Sequence, residues 1–172
     1  MRSWPLLSTL LFVASVAGCE RGAPAPKAEH DHSQHQHEAA HAPAEPKADE
    51  PTGPSIETNS FLLAMAPAQS KYTAGKGGEV EIALEGRGEW HVNQEYPIRV
   101  DLEAAPGVTL TKNELVKDDA REFGEQKVRF LAAVEPSAAG EHELTCDVSF
   151  AMCTEENCIL ERRTVAMQLK VE

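Results

Sequence analysis

Two cysteines near the end of the chain, Cys153 and Cys158, combine a residue type and a spacing that could do chemistry. They enclose four polar residues in the run CTEENC, in which Asn157 tolerates the left-handed backbone conformation that tight loops often need. Two thiols this close can form a static disulfide, exchange that disulfide with another thiol, or contribute to a metal site. The spacing leaves these three uses open.

The flanking sequence predicts a β-hairpin that would place the two cysteines face to face. Strands are expected at about Gly140 to Met152 and about Ile159 to Val171, because apolar residues alternate from Leu144 to Phe150 and again from Val165 to Val171, which is the period of a half-buried strand. Opposed residues in a non-hydrogen-bonded pair have Cα atoms about 4.5 Å apart, within the range that a disulfide accepts. A Cys153–Cys158 bridge at the closing position of the hairpin is therefore geometrically easy.

Side-chain parity separates Cys146 from this pair. Cys146 falls on the predicted buried face of its strand, whereas Cys153 falls on the outward face. Seven residues of continuous strand, roughly 23 Å, separate the two, so they cannot bridge. We predict that Cys146 is a buried, unpaired thiol that packs as a small apolar side chain.

Pairing the two cysteines also fixes the register of the hairpin. Cys146 then faces Val165, so a core residue meets a core residue, but Phe150 faces Glu161. A bulge near the strand ends would remove this second, mismatched pair.

The chemistry of the pair is not decided by spacing. Closing so short a loop stabilises a fold by only roughly 2 kcal/mol in the chain-entropy model, which is a weak reason for a static bridge. An outward-facing bridge at a hairpin tip is accessible to a partner thiolate. A zinc site with His91 or His142 is a third reading, although no second paired motif accompanies the cysteines.

The remainder of the folded part predicts an all-β, immunoglobulin-like antiparallel sandwich over residues 59–172. About seven short alternating runs over about 110 residues, separated by glycine- and proline-containing turns, are typical of that fold. The polar stretch Lys112 to Glu125 is expected to be a loop or one short helix. His91 and Asn93 are interpreted as polar residues at a strand end that hydrogen-bond to a turn, with a role beside the cysteines as the alternative.

The N-terminus predicts export and lipid attachment. Residues 1–18 combine Arg2, a short apolar run and small residues, in the order of a secretory signal. The sequence VAGC that ends at Cys19 resembles the lipobox of bacterial lipoproteins, which implies lipidation of Cys19 and a periplasmic, membrane-anchored protein. Glu20 favours the outer membrane, by resemblance to lipoprotein sorting rules.

Residues 19–58 are predicted to be a disordered linker, rich in proline, alanine and charge. Five of the seven histidines of the protein fall in it. Imidazole binds transition metals, so this tract can hold a labile metal ion such as copper or zinc. These candidate ligands are His30, His32, His35, His37 and His41.

Charge excludes one class of partner. The 16 basic and 28 acidic residues give a net charge of −12, which disfavours binding to nucleic acid. No cofactor is required by any of these readings.

The hairpin and one upstream stretch resemble a known family. The segment EHELTCDVSFAMC that ends at Cys153, with Cys158 and the last strand, is similar to the DsbD N-terminal domain family, as is the stretch WHVNQEYP from Trp90 to Pro97. The resemblance implies a thiol–disulfide relay in which Cys153 and Cys158 are the catalytic pair. It also implies thioredoxin-like or DsbD-type redox partners. Members often carry prolines after the second cysteine, where this chain has Ile159, Leu160 and Glu161.

The sequence thus favours a membrane-anchored, extracytoplasmic lipoprotein for thiol–disulfide interchange. Two alternatives stay open: a non-catalytic metal-binding lipoprotein that uses the histidine tract, and a structural module with a static disulfide. Whether the chain is an enzyme stays open as well.

Overall fold

A computed structural model describes residues 50–51 and 53–172. This part of the chain is almost entirely β-structure and confirms the predicted all-β class, with one 3-10 helix at Lys117–Asp119. The strands are β1 (Ser55–Glu57), β2 (Phe61–Pro67), β3 (Gly78–Gly86), β4 (His91–Val92), β5 (Arg99–Ala104), β6 (Val108–Leu110), β7 (Glu114–Val116), β8 (Glu122–Phe123), β9 (Lys127–Pro136), β10 (Gly140–Cys153) and β11 (Cys158–Val171). No helix in the described residues has the length and apolar character that crossing a bilayer requires.

The strands form two antiparallel sheets. The first has the order β1-β2-β3-β9-β6, with β8 also paired to β9. The second has the order β11-β10-β5-β7, with β4 also paired to β10. The buried faces of both sheets contribute to one hydrophobic cluster, which gives the immunoglobulin-like sandwich.

Period-two alternation explains the core. In β10 the residues Leu144, Cys146, Val148 and Phe150 are at most 1% exposed, while the residues between them are only partly buried. Phe150 meets Phe61 of β2 edge to face, with ring centroids 5.0 Å apart, so an aromatic pair joins the two sheets.

The hairpin of β10 and β11 has the predicted register without the expected bulge. Fourteen consecutive pairs run from Gly140↔Val171 to Cys153↔Cys158, and Phe150 does face Glu161. The prediction of a bulge was wrong because the polar residues of β11 satisfy each other: Arg163 forms an ion pair with Glu161 at 2.7 Å. A continuous ladder therefore carries the register to the two cysteines.

Three short segments differ from the sequence-based expectation. The stretch from Lys112 to Glu125 contains strands β7 and β8 around the 3-10 helix, rather than a loop or a single helix. The strand β1 lies inside the range 19–58 that was assigned to the linker, and pairs with β2. Strands of only two or three residues are too short for an alternation to be recognised, which also explains why the described part of the chain has eleven strands instead of about seven.

Candidate functional site

A disulfide joins Cys153 to Cys158 at the closed end of the β10–β11 hairpin, as the sequence predicted. The two Cα atoms are 4.1 Å apart. The four-residue loop between them is held by Thr154, whose N–H donates to the Asn157 carbonyl at 2.8 Å and whose hydroxyl accepts the N–H groups of Glu156 and Asn157. The loop thus fixes both ends of the bridge.

The two cysteines differ sharply in burial. Cys158 is exposed, whereas Cys153 is only 4% exposed. Cys153 has the outward parity predicted from the sequence, but its side chain is buried. It lies between two neighbours, with His91 of β4 opposite it on one side and Cys158 of the edge strand β11 on the other. The bridge therefore joins an exposed cysteine to a buried one.

Asn93 contacts the sulfur of the buried cysteine directly. Its Nδ2 donates to the Cys153 Sγ at 3.2 Å and lies 4.0 Å from the Cys158 Sγ. Its Oδ1 accepts the backbone N–H groups of Glu95 at 2.8 Å and Tyr96 at 3.0 Å, so the oxygen is committed to the turn and the nitrogen faces the disulfide. Asn93 hydrogen-bonds to the turn, as expected from the sequence, and it also has the alternative position beside the cysteines.

An open cleft of about 600 Å³ borders the disulfide loop. Three carboxylates line it, with one imidazole and one hydroxyl. The lining residues are Glu89, His91, Thr154, Glu155 and Glu156. Like charges in one cleft repel an anionic ligand and attract a cationic surface.

The structure does not assemble the zinc site that was considered for the cysteines. His142 pairs with Leu169, near the opposite end of β10 from the disulfide, and its ring nitrogens face the carbonyl oxygens of Pro106 and Ala138 at 3.2 and 3.0 Å. No cluster of three or more histidine, cysteine or acidic residues able to hold a metal is found within residues 50–51 and 53–172. Cys19 and the five histidines of the linker tract lie outside the described residues.

Cys146 is the buried, unpaired thiol that the strand parity predicted. It is 0% exposed and faces Val165 of β11 and Leu102 of β5. Burial raises the pKa of this thiol far above its ordinary value, with smaller contributions from the charges of neighbouring aspartates. A thiol that stays protonated and covered does not take part in exchange.

We expect Cys146→Ser to destabilise the fold more than Cys146→Ala does. The serine variant should lose about 1–3 kcal/mol of unfolding free energy, because its hydroxyl would be buried without a hydrogen-bond partner. Urea unfolding with the disulfide intact measures both variants. Equal stability of the serine variant and the unsubstituted protein would contradict the apolar surroundings assigned to this thiol.

Comparison with protein families and with curated proteins finds no match. Several solved structures resemble the fold at low identity, each of them over most of its own length. AggA, the major subunit of aggregative adherence fimbriae type I of Escherichia coli, is 9% identical with a TM-score of 0.36, over 67% of this chain and 98% of that chain. The bacterial hydrophobin BslA is 11% identical with a TM-score of 0.33, over 68% and 98%. A PapD-like domain of human CEP192 is 11% identical with a TM-score of 0.31, over 72% and 96%.

Proposed function

We propose that this protein is a thiol–disulfide interchange module that works outside the cytoplasm through the Cys153–Cys158 pair. One observation carries the proposal: one cysteine of the bridge is exposed and the other is buried, and an amide N–H donates to the sulfur of the buried one. A static bridge gains nothing from this asymmetry. In exchange the asymmetry decides which sulfur is attacked and which one leaves.

The difference in burial supports one distribution of these two roles. A thiolate of a reduced partner attacks the Sγ of the exposed Cys158 and forms a mixed disulfide, while the bond to Cys153 breaks and its electron pair stays on the Cys153 sulfur. A second thiolate of the partner then attacks the mixed disulfide and releases Cys158. Two electrons and two protons reach this protein, and the partner leaves with its own disulfide. The reverse sequence oxidises the pair.

Asn93 supports the leaving sulfur in this scheme. Negative charge develops on the Cys153 Sγ as the bond breaks, and the Asn93 Nδ2 donor already lies 3.2 Å from that atom. Because the turn at Glu95 and Tyr96 fixes the amide, little reorganisation is needed when the charge appears. Asn93 is thus a residue that stabilises the thiolate.

The sequence of residues 1–19 supports a membrane-anchored position for this module, through the lipobox-like VAGC and lipidation of Cys19. The acidic cleft supports a partner with a basic surface around its own cysteines, since Glu89, Glu155 and Glu156 repel an acidic one. A thioredoxin-like or DsbD-type oxidoreductase of that surface charge is the partner class we propose.

The reduction potential of the purified protein tests the proposal. Proteins that exchange disulfides have potentials of about −120 to −270 mV, and static bridges of secreted proteins lie below about −300 mV. We expect a value in the first range, measured by equilibration with glutathione or dithiothreitol buffers and thiol alkylation. The double variant Cys153→Ala with Cys158→Ala, which lacks the disulfide, serves as the negative control. A value below about −300 mV, together with no reaction with thioredoxin-like proteins, would leave only the structural module.

The Asn93→Asp variant separates the donor to sulfur from the turn. An aspartate keeps the oxygen that accepts the N–H groups of Glu95 and Tyr96, but replaces the N–H donor by a charged acceptor. A hydrogen bond to a charged group contributes about 1.5–3 kcal/mol, so we expect reduction by dithiothreitol to slow by about tenfold or more. Stopped-flow kinetics measure the rate, and the urea midpoint should change little.

Asn93→Ala is the companion variant, because it removes the donor without adding a charge. Slowing in both variants assigns the effect to the lost donor, whereas slowing in the aspartate variant alone would assign it to charge repulsion. An unchanged rate in both would remove Asn93 from the mechanism.

The histidine tract supports a second candidate function, metal binding by the lipoprotein. Five imidazoles within residues 30–41 can share one copper or zinc ion. Deletion of residues 30–41 should abolish stoichiometric metal binding in calorimetry. If binding persists in the deletion variant, the tract is not the metal site.

A further inference from the structure

His91 lies directly opposite Cys153 in the ladder that joins β4 to β10. The pairing continues past β4, because Asn93 donates its backbone N–H to the Ala151 carbonyl at 2.9 Å. Residues that face each other across an antiparallel pair direct their side chains to the same face of the sheet, with Cβ atoms about 4.5–5.5 Å apart. Asn93 already reaches the Cys153 Sγ at 3.2 Å from the diagonal position on that face. His91 shares the face and is the residue in direct register with the sulfur.

The sulfur that leaves in the proposed exchange lacks a source of protons in the contacts described so far. The electron pair of the broken bond stays on the Cys153 Sγ, and Cys153 is only 4% exposed. A charge held away from water is costly unless it is paired. The Asn93 amide donates a hydrogen bond to this atom but does not give up its proton, since side-chain amides do not ionise. A second group that neutralises the sulfur would therefore speed the exchange.

His91 neighbours both the buried cysteine and the open cleft beside the disulfide loop. It is partly buried, stands opposite Cys153 and lines the cleft. The other described residues that line the cleft are a hydroxyl residue, Thr154, and three carboxylates. Among these lining residues, His91 alone has a side chain of the kind that takes up and releases a proton near neutral pH. It can therefore pass a proton between the cleft and the sulfur.

The charged groups on the elements around β4 place no other cation in the cleft. On β3 and β9, Glu85 and Lys127 form an ion pair at 2.7 Å. In the turn before β4, Arg87 pairs with Glu57 at 2.9 Å. Glu125, which precedes β9, is exposed. The carboxylates that share the cleft with His91 are Glu89, Glu155 and Glu156.

We infer that His91 gives a proton to Cys153 when the disulfide is reduced and takes it back when the pair is oxidised. The inference rests on the proposed exchange function and adds the path of the proton. A partner thiolate attacks the Cys158 Sγ, the bond between the two sulfurs breaks, and the Cys153 Sγ keeps its electron pair and takes the proton of the His91 imidazolium. In the oxidising direction neutral His91 removes the Cys153 proton. The Cys153 thiolate then attacks the Cys158 Sγ of the mixed disulfide, and the partner leaves as a thiolate.

The pH dependence of reduction tests this inference on the intact protein. Reduction by dithiothreitol is followed by stopped flow between about pH 5 and 8, and each rate is divided by the ionised fraction of dithiothreitol, so that only the reactivity of the protein remains. The protonated ring is the form that donates, so the normalised rate should be highest at low pH and fall as His91 loses its proton. The variant His91→Gln has no titrating ring. Its normalised rate should be flat and, at about pH 6, at least about tenfold slower than that of the unsubstituted protein.

The matched control is His142→Gln, because His142 is the other histidine of the described residues and lies near the opposite end of β10. This variant should keep the unsubstituted profile. A fall in rate that persists unchanged in His91→Gln would overturn the inference, as would a flat normalised rate in the unsubstituted protein, and both results leave the exchange function intact. A disulfide that dithiothreitol does not reduce below the unfolding transition would overturn the exchange function as well.

Nuclear magnetic resonance supplies a readout that needs no substitution at the site. The ring signals of His91 give the pH at which it loses its proton in the unsubstituted, oxidised protein, and their absence from His91→Gln assigns them. This midpoint should coincide with the midpoint of the fall in the normalised rate. A difference of more than about one pH unit, roughly a tenfold difference in proton affinity, would show that another group governs the rate and would overturn the inference.

Discussion

Replacing Cys158 by alanine is expected to slow mixed-disulfide formation about a hundredfold, whereas replacing Cys153 by alanine is expected to preserve it. Each variant leaves one thiol of the pair. In Cys153→Ala the remaining thiol belongs to Cys158, which is exposed at the start of the edge strand. In Cys158→Ala the remaining thiol is Cys153, which is 4% exposed between β4 and β11. Exchange depends on access to the sulfur, so the two variants should behave in opposite ways.

Reaction with oxidised glutathione measures this difference. If exposing Cys153 needs a local opening that costs about 3 kcal/mol, its reaction is slowed about a hundredfold relative to Cys158. Both variants are made in the Cys146→Ala background, so that the third thiol cannot contribute. Equal rates in the two variants would contradict the assignment of attacked and leaving sulfur, and a faster Cys153 would reverse it.

The hairpin could be predicted from sequence because its information is local and periodic. Alternation through β10 and β11 fixed which residues face the core, and pairing Cys153 with Cys158 then set the whole register. The same parity identified Cys146 as the spare thiol. A period of two excludes a slip by one residue, which would turn both apolar faces outward, and the cysteine pair selects one of the remaining registers.

The asymmetry of the bridge could not be predicted in this way. It depends on β4, a strand of two residues, and on Asn93, which is 60 positions before Cys153 in the sequence. Nothing in the local pattern indicates that these residues reach the hairpin tip. Parity gives the face of the sheet on which a side chain lies, but it does not say whether that side chain is buried. Cys153 lies on the outward face and is buried, next to His91 of the neighbouring strand β4.

The pair of Phe150 and Glu161 in the hairpin shows a related limit of prediction from sequence. Phe150 opposite Glu161 is a mismatch if each pair is judged alone, and a bulge was the expected remedy. In the folded chain Glu161 instead pairs with Arg163, two residues along the same face of β11, so the charge is compensated without a break in the ladder. When only the residue opposite Glu161 on β10 was considered, its ion-pair partner Arg163 on the same strand was overlooked.

The largest effect on stability is expected from Phe150→Ala. Phe150 is 0% exposed and packs edge to face on Phe61 of the opposite sheet. Truncating a buried phenylalanine removes its transfer free energy and leaves a cavity, so the unfolding free energy should fall by about 3–5 kcal/mol. Phe150→Leu retains most of the volume and should cost roughly 1–1.5 kcal/mol. Urea unfolding with the disulfide intact measures both, and a loss below about 1 kcal/mol for the alanine variant would contradict the packing.

The same variant distinguishes the core from the exchange site. Phe150 faces the core, whereas Cys153 and Cys158 lie on the opposite face of the same two strands. Below its unfolding transition, Phe150→Ala should therefore react with dithiothreitol at nearly the unsubstituted rate, while Asn93→Asp should be slow and almost normally stable. Opposite responses in these two variants would show that the stability of the fold and the reactivity of the disulfide depend on different residues. If Phe150→Ala slowed exchange as strongly as Asn93→Asp does, the reactivity of the bridge would depend on the rigidity of the sandwich rather than on the amide beside the sulfur.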